Sequence, residues 1–245
     1  MIQCSFKRYE KKYLLTPAQY EAVREGMSAY MTPDVYSRYS ICNVYYDTDD
    51  FRLIRTSLEK PVYKEKLRVR SYGPVADGGR VFVELKKKYD GIVYKRRVVM
   101  NAADAADYLS GRAPGEDTQI YREIDWFMNS YRPVPKAFIA YDREAYAGRD
   151  NPDLRVTFDT RLRGRRDHAD LRAGDYGQPI LNGGQILMEI KIPGAAPLWL
   201  ARLLSENRVA STSFSKYGAY YKRYILAASV PETAPDYQKG VLFVA

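Results

Sequence analysis

Two cysteines, one histidine and two tryptophans are all that the 245 residues contain of those types. Two thiols cannot build a disulfide framework, so Cys4 and Cys42 are expected to be reduced and the setting cytoplasmic. A single histidine, His168, excludes a histidine-rich metal cluster. It falls in a stretch of charge and glycine from Arg163 to Gly184 that reads as mostly loop, and no catalytic role is assigned to it. No apolar run approaches the ~20 residues that a membrane-spanning helix needs. Lys7 and Arg8 stand where a leader would carry its apolar segment, so no signal peptide is expected. A P-loop, a Rossmann glycine pattern, internal repeats and low-complexity segments are all missing.

What is present is positive charge and tyrosine. Thirty-nine lysines and arginines oppose 30 acidic residues, a formal net charge of +9, and there are 23 tyrosines. That balance points to an anionic partner. Hydrophobic residues make up 46% and charged residues 28%, enough to bury a core and too apolar for disorder. The expectation is one domain over residues 1–245, with its core from about 6 to 228.

The charge is patterned. In VYKEKLRVRSYG, RVFVELKKK and YKRRVVM, between Tyr63 and Met100, side chains alternate as on strands. Lys64, Lys66, Arg68 and Arg70 share one face of the first strand, with Leu67 and Val69 on the other. Glu84, Lys86 and Lys88 share a face of the second, opposed by Val83 and Leu85, and Lys95 and Arg97 point together on the third. The same alternation sets Arg8, Glu10 and Lys12 apart on the first strand, Arg155, Thr157 and Asp159 against Val156 and Phe158, and Glu189 and Lys191 against Ile190 and Ile192.

Between these strands the punctuation is helical. Thr16 before Pro17 caps a helix expected to run to about Tyr30, and Asn101 caps a short one that Gly111 ends. A helix is expected in GEDTQIYREIDWFMNSY, stopped by Pro133 and Pro135, and others in LWLARLLSENRV and FSKYGAYYKRYILAAS; the tail after Pro231 reads as irregular. Asp47 and Asp49 in YYDTDD read as a turn and helix cap in preference to a metal pair.

Eight to ten strands with helices between hairpins give an α+β fold with an antiparallel sheet. One cationic strand face is ordinarily just a solvated face. Six such faces in one chain, with cations outnumbering anions, would repel one another without a ligand. The expected architecture is therefore an antiparallel β-barrel with a polar, basic tunnel and with helices packed outside.

RYEKKYLL, YYDTDD, KLRVR, VELKKK, VYKRR, AYDREAY, RVTFDT, MEIKI and FSKY together resemble, in order, the catalytic polyphosphate polymerase domain of the vacuolar transporter chaperone (VTC) family, from Phe6 to about Tyr224. That family is grouped with the triphosphate tunnel metalloenzymes, which include the CYTH-type triphosphatases. The resemblance implies a tunnel that binds ATP and polyphosphate with Mn2+ or Mg2+. It implies catalytic roles for Arg68, Arg70, Lys86 and Glu189, and phosphate contacts from Lys12, Lys95, Arg143, Arg155, Ser215 and Lys216. Lys66, Arg97 and Lys191 join the phosphate-binding set through the strand faces they occupy. Glu189 is the implied metal carboxylate. Glu10, Glu84 and Asp159 either complete the coordination or pair with neighbouring cations, and pairing is the preferred role.

The departures bear on the reaction. Triphosphatases of the superfamily open with ExExK, where this chain reads Arg8-Tyr9-Glu10-Lys11-Lys12, and Glu189 is followed on its face by Lys191. Cations in place of carboxylates favour phosphoryl transfer to a long polyanion over hydrolysis. Ser213, where the polymerases often carry a lysine, points the other way. Three readings follow: a polyphosphate polymerase, a tunnel phosphohydrolase of inorganic or nucleoside triphosphate, and a non-catalytic polyphosphate-binding module. Nucleic acid is not expected, since Tyr63, Tyr94 and Tyr217 do not share the cationic parity. A membrane-protein partner is conceivable from the family's eukaryotic members.

Overall fold

A computed structural model of the protein describes residues 8–229. Cys4, Phe6 and the tail after Pro231 lie outside the described residues. In chain order the elements are β1 (Arg8–Leu15), α1 (Pro17–Gly26), β2 (Met31–Asp47), α2 (Arg52–Leu58), β3 (Tyr63–Tyr72), β4 (Arg80–Tyr89), β5 (Ile92–Asn101), α3 (Ala102–Leu109) and α4 (Gln119–Tyr131). There follow β6 (Val134–Gly148), β7 (Arg155–Arg165), β8 (Gln178–Pro179), β9 (Ile186–Pro193), α5 (Leu198–Glu206), β10 (Ser211–Thr212) and α6 (Lys216–Tyr220). A π turn over Tyr221–Leu226 and a 3-10 turn over Ala227–Ser229 continue α6.

Local chemistry explains most boundaries. The Thr16 hydroxyl accepts from the Gln19 N–H at 3.2 Å while the Gln19 side chain accepts from the Thr16 N–H, a capping box with Pro17 at the first position. α1 ends at Gly26, one turn short of the expected Tyr30, because residues 27–30 tighten into turns that launch β2. Asn101 Oδ1 accepts the Asp104 N–H at 2.7 Å, and Gly111 follows α3 at φ +77°. α4 stops at Arg132, which is left-handed at φ +45°, just before Pro133. Asp90 and Gly91 both have positive φ, as the tight turn between β4 and β5 requires.

The strands form one antiparallel sheet in the order β10-β1-β9-β7-β6-β2-β3-β4-β5, with β8 paired off β7. Its convex face carries two apolar clusters. Leu67, Val69, Val83 and Leu85 pack under α3 and α4; Val156, Phe158, Ile190 and Ile192 pack under α1 and α5. These are the apolar parities of the sequence, now buried.

Two expectations change. Among the described residues no ladder joins β5 to β1 or β10, so backbone hydrogen bonds do not close the sheet into a barrel. Closure would need backbones about 4.8 Å apart, whereas a cavity of about 830 Å³ separates the two edges. Lys66 Nζ on β3 donates to Oγ of Ser215, the residue before α6, at 3.2 Å. Nor are all the helices outside. α2 and α6 pack on the concave face, where Ile54, Tyr217, Tyr220 and Tyr221 bury Ile41, Tyr45, Ile139 and Leu187. These two helices plug one end of the curl and leave the other end polar.

A basic cavity on the concave face

Side-chain alternation delivers the cations of separate hairpins to one place. An inner chamber of about 280 Å³ is lined by Arg68, Arg70 and Lys66 of β3, Glu84 and Lys86 of β4, and Lys95 of β5. From the other limb of the sheet come Glu10 and Lys12 of β1, Arg143 of β6, and Glu189 and Lys191 of β9, with Ser215 and Lys216 at the start of α6. It opens into the larger outer chamber through Glu10, Lys12, Lys66, Lys86, Val93 and Ser215, which line both. The outer chamber adds Lys11, Lys60, Lys64, Lys88 and Lys222, and among the described residues Glu10 is its only carboxylate.

The inner charges are organised around three carboxylates. Glu84, 1% exposed, accepts from Arg68 Nη2 at 2.7 Å, Arg97 Nη2 at 2.6 Å and Lys95 Nζ at 2.7 Å, with Arg70 Nε at 3.8 Å. Burial alone would raise its pKa, but Arg68, Arg70 and Lys95 overcome that and hold the carboxyl well below its usual range. Asp159, fully buried, takes a two-pronged contact from Arg143 at 2.6 and 2.7 Å and a third from Lys216 at 2.7 Å. Glu189 accepts from Lys216 at 2.7 Å, with Arg143 at 3.7 Å and Lys12 at 3.9 Å; these prevail over burial and keep it ionised.

The lysines facing the space are less well partnered. Burial, reinforced by Lys64, Lys86, Lys12 and Arg68, pushes Lys66 down to about 7. Lys95 falls to about 8 through burial despite Glu84, and burial also lowers Lys64, Lys86 and Lys191. The cavity is thus short of negative charge.

Of the residues singled out in the sequence, Arg97 and Arg155 line neither chamber. Arg97 backs Glu84 and lies 4.6 Å over the Phe82 ring. Arg155 forms an ion pair with Asp34. Asp159 lies beneath the chamber under Arg143 and Lys216. His168 is in the loop after β7, where its carbonyl accepts from Arg165 Nε at 3.0 Å. Asp47 accepts the N–H groups of Thr48, Leu53 and Ile54 and the Tyr217 hydroxyl, so it fixes the start of α2. Of the inner-chamber lining, Tyr45 of β2, Tyr141 of β6 and Val93 of β5 went unread in the sequence; the two tyrosines lie on stretches that look apolar, and only the fold reveals their register against the basic strands.

Among the described residues no three acidic, histidine or cysteine side chains gather into a metal cage. Glu84 and Asp159 are enclosed by cations. Glu189, which lines the inner chamber, fits a hard divalent ion only if phosphate oxygens and water complete the coordination. No helix among the described residues is long and apolar enough to cross a membrane.

Among solved structures the chain is similar to a candidate adenylate cyclase from Bacillus halodurans, at 12% identity and a TM-score of 0.56 over 88% of this chain and 96% of that one. It is also similar to a candidate adenylyl cyclase from Hippeastrum described as having a dominant triphosphatase activity, at 15% identity and a TM-score of 0.50 over 87% and 94%. At such identities the likeness speaks for the fold. No curated protein matches the chain. Residues 7–225 match the VTC domain, so with its open, curled sheet and cation-lined concavity the chain belongs to the VTC domain family.

Proposed function

We propose that this protein is a polyphosphate polymerase that transfers the γ-phosphoryl group of ATP to the end of a growing polyphosphate chain. The coarser part, an enzyme acting on triphosphates, rests on the family and on the inner chamber. The polymer reading rests on one observation: the inner chamber runs on into an outer one with eight lysines and one carboxylate. That is more space and more unmatched positive charge than a triphosphate uses.

In this reading Arg68, Arg70, Arg143 and Lys216 hold the reacting phosphates as fixed charges, already oriented by Glu84 and Asp159. Such positioning and charge neutralisation are what phosphoryl transfer chiefly requires. An attacking terminal phosphate is anionic near neutral pH, so no base is needed for it. A bound Mn2+ or Mg2+, held by Glu189 together with phosphate oxygens, would supply further charge neutralisation. Lys12, Lys66, Lys86 and Ser215 line the route between the chambers, and Lys191 lines the inner one.

One observation favours a phosphohydrolase as the second reading. The inner chamber, about 280 Å³ with Glu189 among its lining cations, is of the scale of a single triphosphate. Purified protein incubated with ATP and Mn2+ separates the readings. A polymerase yields ADP and a long acid-stable polymer, and a hydrolase releases orthophosphate. Tight polyphosphate binding with no turnover, unchanged by Glu189→Ala, would leave only a binding module.

A further inference from the structure

Tyr45 stands apart from the other tyrosines. Its ring stacks on Tyr217 at 4.8 Å and 19°, and the Tyr217 hydroxyl donates to Asp47 at 2.9 Å. Asp47 in turn receives the first N–H groups of α2. The side chain is therefore held from one side by two helices, with its hydroxyl directed to the inner chamber beside Arg68. Arg68 Nη1 donates to that hydroxyl at 3.2 Å. A guanidinium has only donors, so the phenolic proton must go elsewhere, and no described residue accepts it.

We propose that the Tyr45 hydroxyl donates this unspent proton to a phosphoryl oxygen held next to Arg68, making Tyr45 a ligand-binding residue of the inner chamber. The inference rests on the reading of that chamber as a phosphate site. A phenol suits the position because it adds a donor without adding charge among Arg68, Arg70 and Lys216. Its orientation is fixed before the ligand arrives, so little order is lost on binding.

The surrounding charges supply a spectroscopic handle. Burial would raise the Tyr45 pKa, but Arg68, its hydrogen bond, Arg70 and Lys216 lower it below the usual phenol value. Tyr13, Tyr39, Tyr46, Tyr131 and Tyr217 are shifted upward by burial. Tyr45 is thus expected to ionise ahead of these buried tyrosines, visible as absorbance at the tyrosinate band, and bound tripolyphosphate should move that step to higher pH. The step should vanish in Tyr45→Phe, which keeps the ring stack. Calorimetry at neutral pH should show Tyr45→Phe binding tripolyphosphate about ten- to hundredfold more weakly, the range for a hydrogen bond to a charged group.

A double-mutant cycle separates direct donation from mere support of Arg68. Direct donation predicts that Tyr45→Phe still weakens binding in an Arg68→Gln background. No further loss there would overturn the assignment, as would unchanged affinity in the single variant. An early tyrosine step that tripolyphosphate does not move overturns it on the wild-type protein alone. Wild-type protein that fails to bind tripolyphosphate at all overturns both this assignment and the phosphate reading of the chamber.

Discussion

If the cavity lysines are short of negative charge, a polyanion should arrive with protons. Take pH 8 and a long polyphosphate, whose interior phosphates are strong acids and bring no protons of their own. With Lys66 at about 7 and Lys95 at about 8 in the free protein, roughly 0.1 and 0.5 of the two side chains carry a proton at that pH. Phosphate oxygens beside both would restore them toward the ordinary lysine value, so binding takes up about 1.4 protons at pH 8 and about 0.1 at pH 6. The bound state holds more protons, so affinity falls as pH rises. Between pH 7 and 9 the loss is roughly two to three orders of magnitude. Calorimetry in two buffers of different ionisation enthalpy reads the uptake directly. Lys66→Met should remove about 0.9 of the 1.4 protons and leave the Lys95 share of about 0.5. In the absence of ligand the sign is opposite. A lysine depressed on folding destabilises fully below pH 7, and that cost is relieved between pH 7 and its unfolded value of 10.5. Lys66→Met should therefore raise the Tm at pH 6 more than at pH 9. Heats at pH 8 that do not depend on the buffer would refute the reasoning.

Glu84→Gln strands Arg68, Arg70, Lys95 and Arg97 around an uncharged amide. Breaking so buried a network costs about 3–5 kcal/mol, a fall in Tm of roughly 6–20 °C for a chain of this size. Tripolyphosphate should recover more of that loss than it adds to the wild type, and thermal denaturation with and without it provides the check. Lys64 and Lys88 face each other across β3 and β4 in the outer chamber. Replacing both with Gln should change tripolyphosphate affinity less than about threefold, while chains of dozens of phosphates bind at least tenfold more weakly with a shallower salt dependence. Equal losses for short and long chains would remove the basis for assigning the outer chamber to a polymer.

How much of this could be read in the sequence depends on how locally it is encoded. Alternation made the cationic faces of β3, β4 and β5 legible because strand parity is a property of neighbouring residues, and the caps at Thr16 and Asn101 were legible for the same reason. Parity then failed where the chain breaks step. In β7 two residues, Arg161 and Leu162, oppose the single Tyr141 of β6, and Arg161 is left-handed at φ +48°; at this bulge Leu162 joins the concave cluster instead of the convex one. Tyr45 and Tyr141 stayed hidden because β2 and β6 are apolar on both faces, one under α3 and α4 and the other under α2 and α6. The sequence could name Glu84 and Asp159 as facing inward but not which cations would claim them. That depends on the register within hairpins, as with Glu84 opposite Arg97 and Asp159 opposite Arg143, and on where α6 brings Lys216.

Register also explains how the two kinds of cation divide the cavity. Arg68 and Arg143 lie beside the most buried carboxylates, and a guanidinium keeps its charge at any accessible pH and grips a carboxylate at two points. Those charges are fixed and oriented whether or not a ligand is present. Lysines dominate toward the outer chamber, where Glu10 is the sole carboxylate among the described residues. Among the lysines that line it, burial and cationic neighbours push Lys66 down to about 7 and lower Lys64 and Lys86, so the charge of Lys66 is readily shed when the cavity is empty. The charge of Lys66 is thus conditional on an anion being present to hold it. An enclosure lined with arginine alone would have to carry its self-repulsion at all times, at a cost to the fold, and one lined with lysine alone would present no fixed geometry to the reacting phosphates. In the proposed reading, the fixed guanidinium charges at the inner end orient the reacting phosphates, and the lysines that continue into the outer chamber hold the rest of the anion.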